Sequence, residues 1–241
     1  MLMSVLALIV GGMFKGAVGV GTPVVAVPII ALAFDVPTAV AIMMLPNLLT
    51  NLYQGWAYRS AWPTKRFALT YAVMGAAGAT AGTFALASLP LDALMLGLAI
   101  CVVVYVGFRL ARPDWVLEFG LAERMVVPVG LFGGFLQGSV GVSAPVSVTF
   151  LHAMRLGRDA FIGTISLFFI AMTFGQVPAL VGLGVLTWKL AGFGLLAIGP
   201  IMFGVWLGTA LGRRFSAQMF DRAMLVLLAA LAAKIFFDVL T

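Results

Sequence analysis

Residues 11–24 read GGMFKGAVGVGTPV, and residues 133–146 read GGFLQGSVGVSAPV, 122 positions later. Eight of the fourteen positions are identical, where chance in so apolar a sequence gives roughly one or two. Each copy sits in a stretch apolar enough for a membrane span. Its glycines and its proline make a poor helix and a good break in one. Few folds have a use for such a segment twice. At corresponding positions of two halves, it points to the substrate site of a secondary transporter.

The rest of the chain fits a lipid solvent. It is 63% hydrophobic and 9% charged, against about 25% charged in an ordinary soluble domain. Its uncharged stretches are long enough for helices to cross a hydrocarbon core, and too long for barrel strands of alternating polarity. The fold class is therefore an all-α polytopic membrane protein. The net charge of +6 does not indicate nucleic acid, because the basic residues are scattered over short interhelical loops, where they decide orientation. Cys101 is the single cysteine, so no disulfide forms within the chain and no metal cluster is available. The first residues lack the basic region and cleavage pattern of a signal peptide and carry the first motif, so they are expected to be retained.

The repetition extends beyond the glycines. Asn51 and Gln54 meet Thr173 and Gln176 at the same offset of 122, and Gly78, Gly82 and Thr83 match Gly204, Gly208 and Thr209 at 126. Each half reads as a glycine-broken segment followed by three apolar segments: 36–58, 67–88 and 91–108, then 160–181, 190–212 and 218–238. The expected division is a first transmembrane repeat over 1–110, a cytoplasmic linker over 111–124 and a second repeat over 125–241.

Loop charge bears on how the broken segments sit. As one straight helix, residues 2–34 would run about 50 Å, beyond a ~30 Å core. If each broken segment crosses once, the halves are parallel and the cations divide eight against five. If each enters and leaves by one face, Arg59, Lys65, Arg66, Arg109, Arg112, Arg124, Arg155, Arg158, Arg213, Arg214 and Arg222 share a side and only Lys189 and Lys234 lie opposite. Eleven against two is the stronger positive-inside pattern. It favours re-entrant segments and an inverted repeat, a common route to alternating access.

The candidate site follows from the same segments. In each copy a short polar residue and a proline follow the glycines, which predicts the start of a half-helix, with Thr22 as an N-cap and Pro23 at the first helical position. Two such ends converging at mid-membrane would present backbone N–H groups and two positive dipole ends to an anion. Gly19, Gly21 and Gly141 would let backbone approach a ligand closely. Gly19, Val20, Gly21 and Thr22, with Gly141, Val142, Ser143 and Ala144, form the candidate substrate-binding backbone. Asn47, Asn51 and Gln54 form one helix face, and Thr173 and Gln176 form the matching one. Both suit a pathway for an oxyanion, and both also suit interhelical hydrogen bonding. Lys15 is the only charge in either motif, with Gln137 as its counterpart. It reads as a counter-charge for an anion or as a side chain snorkelling to the nearer surface. The spaced pairs Gly78/Gly82 and Gly204/Gly208 read as helix-packing positions, while Gly16 and Gly138 suit packing and function equally. His152 reads as a helix-end residue. No carboxylate pair, metal-ligand set, nucleophile–base arrangement or phosphate loop falls within the spans, so no enzyme, metal or cofactor is predicted.

The doubled motif, the Pro37-Thr38-Ala39-Val40-Ala41 run and the Ala61-Trp62 step after Arg59 resemble the TauE/SafE family of sulfite and organosulfur-anion permeases over nearly the whole chain. The resemblance implies transport of sulfite, sulfoacetate, thiosulfate or a related small anion across the bacterial plasma membrane by a multi-pass protein. The second copy departs from the first in having Ser143-Ala144 for Gly21-Thr22 and no counterpart of Lys15, which makes the two halves of a site chemically unequal. The expected partners are a small sulfur-containing anion and the lipid bilayer; a coupling ion and a homo-oligomer stay open. An anion-selective channel and a non-transporting membrane anchor are the alternative functions.

Overall fold

The computed structural model describes residues 2–18, 21–111, 115–212 and 217–240. Among them the chain forms α1 (Leu2–Val18), α2 (Thr22–Ala33), α3 (Val36–Ala57), α4 (Lys65–Ser88), α5 (Leu91–Ala111), α6 (Phe119–Val140), α7 (Ser147–Ala153), α8 (Arg158–Gly182), α9 (Trp188–Gly212) and α10 (Ala217–Leu240). Six of these, α3, α4, α5, α6, α8 and α9, are long and apolar enough to cross a membrane. The caps explain several starts. Asp35 accepts the Thr38 N–H at 2.6 Å ahead of α3, and Thr64 accepts the Phe67 N–H at 3.1 Å ahead of α4, each satisfying a backbone donor that a helix start leaves open.

Both motif segments turn back on themselves. The Thr22 hydroxyl donates to the Gly11 carbonyl at 3.2 Å, so α2 begins beside the middle of α1. In the second copy the Leu117 N–H, just before α6, donates to the Ala153 carbonyl at the end of α7 at 2.7 Å. The chain thus climbs α6 and returns to the end it left. Glycine stands at each turn for a steric reason: Gly21 has φ 134° and Gly141 has φ 76°, values that a Cβ makes costly. One expectation is corrected here. Thr22 is not the N-cap of α2; it is the first helical residue, Gly21 holds the cap position without a side-chain cap, and the threonine hydroxyl donates to the Gly11 carbonyl.

Small residues fix which helices meet. A Cβ added at Gly78 would collide with the Leu131 carbonyl oxygen, and one at Gly82 with that of Phe135, so α4 lies flat against α6. At Gly204 and Gly208 the collisions are with the Ile9 and Met13 carbonyls, which places α9 on α1 in the same way. Gly134 and Gly138 meet Gly75 and Ala79, while Gly12 and Gly16 meet Ile201 and Val205. Every contact in one set maps onto the other by the offsets of 122 and 126 found in the sequence. Along both pairs residue numbers rise together, so the helices run parallel. Gly16 and Gly138, which the sequence left open between roles, are packing residues.

Other contacts bring basic loops to one end. A Cβ at Gly163, near the start of α8, would lie 2.6 Å from the Tyr58 carbonyl and 3.3 Å from the Trp62 ring. Phe67 and Phe119, at the starts of α4 and α6, have ring centroids 5.7 Å apart. Arg59, Lys65, Arg66, Arg124 and Arg158 therefore flank the same end of the bundle. Arg112, Arg213 and Arg214 lie outside the described residues. At this end Tyr71 stacks on Phe168 with centroids 4.0 Å apart and donates its O–H to the Ser147 carbonyl at 3.3 Å. Phe150 packs on Tyr71 at 5.8 Å. These rings clamp α7 between α4 and α8. The positions matching Tyr71, Phe150 and Phe168 are Ala197, Pro28 and Pro46, so the other half has no such clamp.

Candidate functional site

The two turns meet at one buried cavity between α1, α2, α3, α6 and α8. Of the residues expected from sequence to bind substrate, Lys15, Gly21, Asn51, Val142, Ser143 and Ala144 line it. Asn47 and Gln137 add two polar groups, and Phe169 closes the wall from α8. Three pairs 122 positions apart, Lys15/Gln137, Gly21/Ser143 and Asn47/Phe169, face the same space. The cavity holds about 20 Å³, room for about one water, so in this conformation the site is closed down on itself.

Its electrostatics rest on one group. Lys15 is 7% exposed, and among the described residues it has no carboxylate partner. Its Nζ donates to Thr50 Oγ1 at 2.9 Å, and that hydroxyl in turn donates to the Pro46 carbonyl at 2.8 Å. An ammonium has three protons to donate. Thr50 orients the group and takes one of them, leaving a positive charge without an acid to balance it. Burial with a hydroxyl partner inside the bundle answers the snorkelling alternative.

The surrounding polar groups are held in place by their own helices. Asn51 Nδ2 donates to the Asn47 carbonyl at 2.7 Å and to Asn47 Oδ1 at 2.8 Å, so the two amides present a fixed pair on α3. Pro46, inside this helix, has no N–H to give the Ile42 carbonyl one turn earlier, while the Thr50 and Asn51 side chains bond the Pro46 and Asn47 carbonyls in addition. The Ser147 hydroxyl lies 2.9 Å from both the Ser143 carbonyl and Ser143 Oγ, which ties the two serines together at the turn. Gln137 is 4% exposed, and its side-chain oxygen is buried with no hydrogen-bond partner among the described residues.

The remaining candidates lie elsewhere. Gly19 and Val20 fall outside the described residues. Thr22 is buried on the α1–α2 contact. Gly141 is off the cavity wall, and a Cβ there would press on Val40 Cγ2 at 2.8 Å and Val27 Cγ1 at 3.1 Å. Gln54 is half-buried and away from the cavity. The Thr173 hydroxyl donates to the Phe169 carbonyl of its own helix at 2.9 Å, and Gln176 Nε2 donates to the Gly138 carbonyl at 3.4 Å. Both therefore serve helix structure and helix contact. The second turn also supplies fewer backbone donors than its sequence suggested. The N–H groups of Val146 and Ser147 already bond the Ser143 carbonyl at 3.0 and 2.8 Å, and α7 has only seven residues.

A buried cation beside neutral hydrogen-bonding side chains, enclosed by irregular backbone at membrane depth, is suited to hold a small anion. Neither the proteins of curated function nor the solved structures contain a match to this chain. The profile of one protein family, described as sulfite exporter TauE/SafE, matches residues 4–235. With that match covering nearly its whole length and a bundle of apolar helices around a site of this kind, the chain belongs to the TauE/SafE sulfite exporter family of membrane transporters.

Proposed function

We propose that the protein is a secondary transporter that moves a small sulfur-containing anion across the plasma membrane by alternating access around the Lys15 cavity. One observation carries this reading: both glycine turns and Lys15, the one buried charge-bearing side chain among the described residues, line the same closed space. Lys15 supplies the counter-charge. Asn47, Asn51, Gln137 and Ser143 supply neutral groups that replace water around the anion. Gly21 and Thr22, with Gly141, Val142 and Ala144, shape the two turns, and Gln54, Thr173 and Gln176 flank the route to them.

The two halves act as an inverted repeat with re-entrant motif segments. Helix contacts that recur at the repeat offsets support this, as does the bond joining the two ends of the α6–α7 hairpin. Basic loops flanking one end support a cytoplasmic position for that end. The Tyr71–Phe150–Phe168 clamp would then seal the cytoplasmic approach while the site is closed. The small cavity supports a carrier that must change shape over an open channel.

Purified protein in liposomes should give saturable uptake of sulfite, thiosulfate or sulfoacetate above that of protein-free vesicles, and no uptake of alkali cations or amines. Binding to the folded state alone should also raise the apparent melting temperature. Absence of both flux and thermal shift across this panel would contradict the reading, and channel-like conductance would replace the carrier with a pore.

A further inference from the structure

We infer that the species the Lys15 site takes up when it opens is a singly charged oxyanion still carrying a proton, such as hydrogensulfite, with its charge met by Lys15 and its O–H donated to the side-chain oxygen of Gln137. This rests on the anion-transport reading above and adds the charge and protonation state of what is carried.

The first argument is charge. Burying an ion is strongly unfavourable unless an opposite charge accompanies it. Among the described residues Lys15 is the only ionisable group lining the cavity, and the two neighbouring positions outside them are glycine and valine. Helices α2 and α3 contain no Asp, Glu, Lys, Arg or His, and the one ionisable side chain on them, Tyr53, is exposed. On α9 the described candidate is Lys189, in the exposed first turn. On α10 the described ionisable side chains, Arg222 and Lys234, are exposed. In its ammonium form Lys15 therefore gives the site one positive charge, and no other cavity-lining side chain among the described residues adds to it. A monoanion makes it neutral, and a dianion leaves one negative charge buried without a partner.

The second argument is the hydrogen-bond inventory. Ionised oxyanions offer only acceptors. Lys15 and Asn47 carry protons for such acceptors, but Gln137 Oε1 is buried in the same wall and needs a donor. Buried polar atoms without partners are rare in native proteins, so a bound group that completes this one is favoured. A protonated oxyanion has the single O–H required. The carboxylates on the candidate spans, Asp92, Glu123 and Asp159, stand near helix starts, and among the described residues none lines the cavity; no relay is needed if the proton crosses on the substrate. Release into a more alkaline compartment would then free the proton together with the dianion.

The test uses the full-length protein in liposomes and three competitors of sulfite flux, with protein-free vesicles subtracted because neutral sulfur dioxide crosses lipid unaided. At fixed total sulfite, flux should track the hydrogensulfite fraction as the medium is taken from alkaline to mildly acidic. Methanesulfonate, singly charged with no proton to give, should compete about tenfold more weakly than hydrogensulfite, the worth of one hydrogen bond to a charged group. Sulfate and thiosulfate, doubly charged throughout, should compete least. Gln137→Leu should remove the preference for hydrogensulfite over methanesulfonate and keep methanesulfonate binding; should this variant fail to fold, the wild-type competition series decides alone. Sulfite flux that ignores pH, or sulfate competing as well as sulfite, would overturn the inference and leave anion transport standing. Flux of none of these anions would overturn both.

Discussion

Lys15→Met is expected to lower anion flux about a hundredfold or more while leaving the folded protein as stable as the parent, or more stable. The two effects have one cause. A buried ammonium whose one partner among the described residues is Thr50 is costly to the empty protein, and a methionine of similar shape removes that cost. Once an anion is bound, the same ammonium becomes half of a buried ion pair, and truncating one member of such a pair costs about 2–5 kcal/mol. Flux and melting temperature measured on one preparation separate the roles. A structural lysine would lose stability and flux together; a binding lysine loses flux alone. Lys15→Arg keeps the charge but enlarges the head group in a cavity with room for little more than a water, so it should restore flux only in part.

The second large effect falls on stability. Gly78→Ala and Gly204→Ala should each destabilise the fold by about 1–3 kcal/mol, in the range of overpacking. In both, the new Cβ meets a backbone carbonyl of a parallel neighbour, Leu131 or Ile9, rather than a side chain that could rotate away. Gly107→Ala is the control, since nothing lies within 4 Å of a Cβ there. Thermal melts and size-exclusion profiles would measure the loss, and flux per folded molecule should stay near the parent's. A Gly78→Ala protein that melts normally yet no longer transports would mean that the α4–α6 seam moves during the cycle.

Much of this architecture can be read from residue patterns. Each of the six apolar segments expected outside the motifs lies within three residues of an observed helix, because long uncharged runs bounded by Pro, Gly and Arg leave little choice in lipid. The packing role of Gly78, Gly82, Gly204 and Gly208 was equally legible, since small residues four apart let backbones touch. Of the residues along the cavity wall, Lys15, Gly21, Asn51 and Val142–Ala144 stood out in the sequence because they are a charge, a turn and a polar stripe where none is needed for solubility.

The rest depended on side-chain direction, which spacing does not specify. Thr173 and Gln176 share a helical stripe with the cavity wall, but a threonine can bond its own helix's carbonyl one turn back, and a glutamine can reach a neighbouring backbone, as Gln176 does to Gly138. Gly141 shares the motif with Gly19, yet serves the turn and not the wall. Gln137 has the opposite history. Its position opposite Lys15 in the repeat was visible, but an uncharged counterpart gave no reason to place it in the site until the two turns were seen to close on one another. Asn47 was likewise visible on the Asn51 face. The length of α7 was hidden because the two motif copies look alike, while the bonds from Val146 and Ser147 to the Ser143 carbonyl prolong the second turn at the expense of the helix.

The claim that the paired turns and Lys15 form the anion site is tested most directly by an experimental structure with bound selenite, a heavier analogue of sulfite whose selenium marks its position. The account predicts one selenium peak between Gly21 and Ser143, with an oxygen in hydrogen-bond reach of Lys15 Nζ, and its loss in Lys15→Met. A peak only at the basic surface pocket of Arg109, His152 and Arg155, or no peak in the Lys15 cavity at concentrations that support transport, would contradict it.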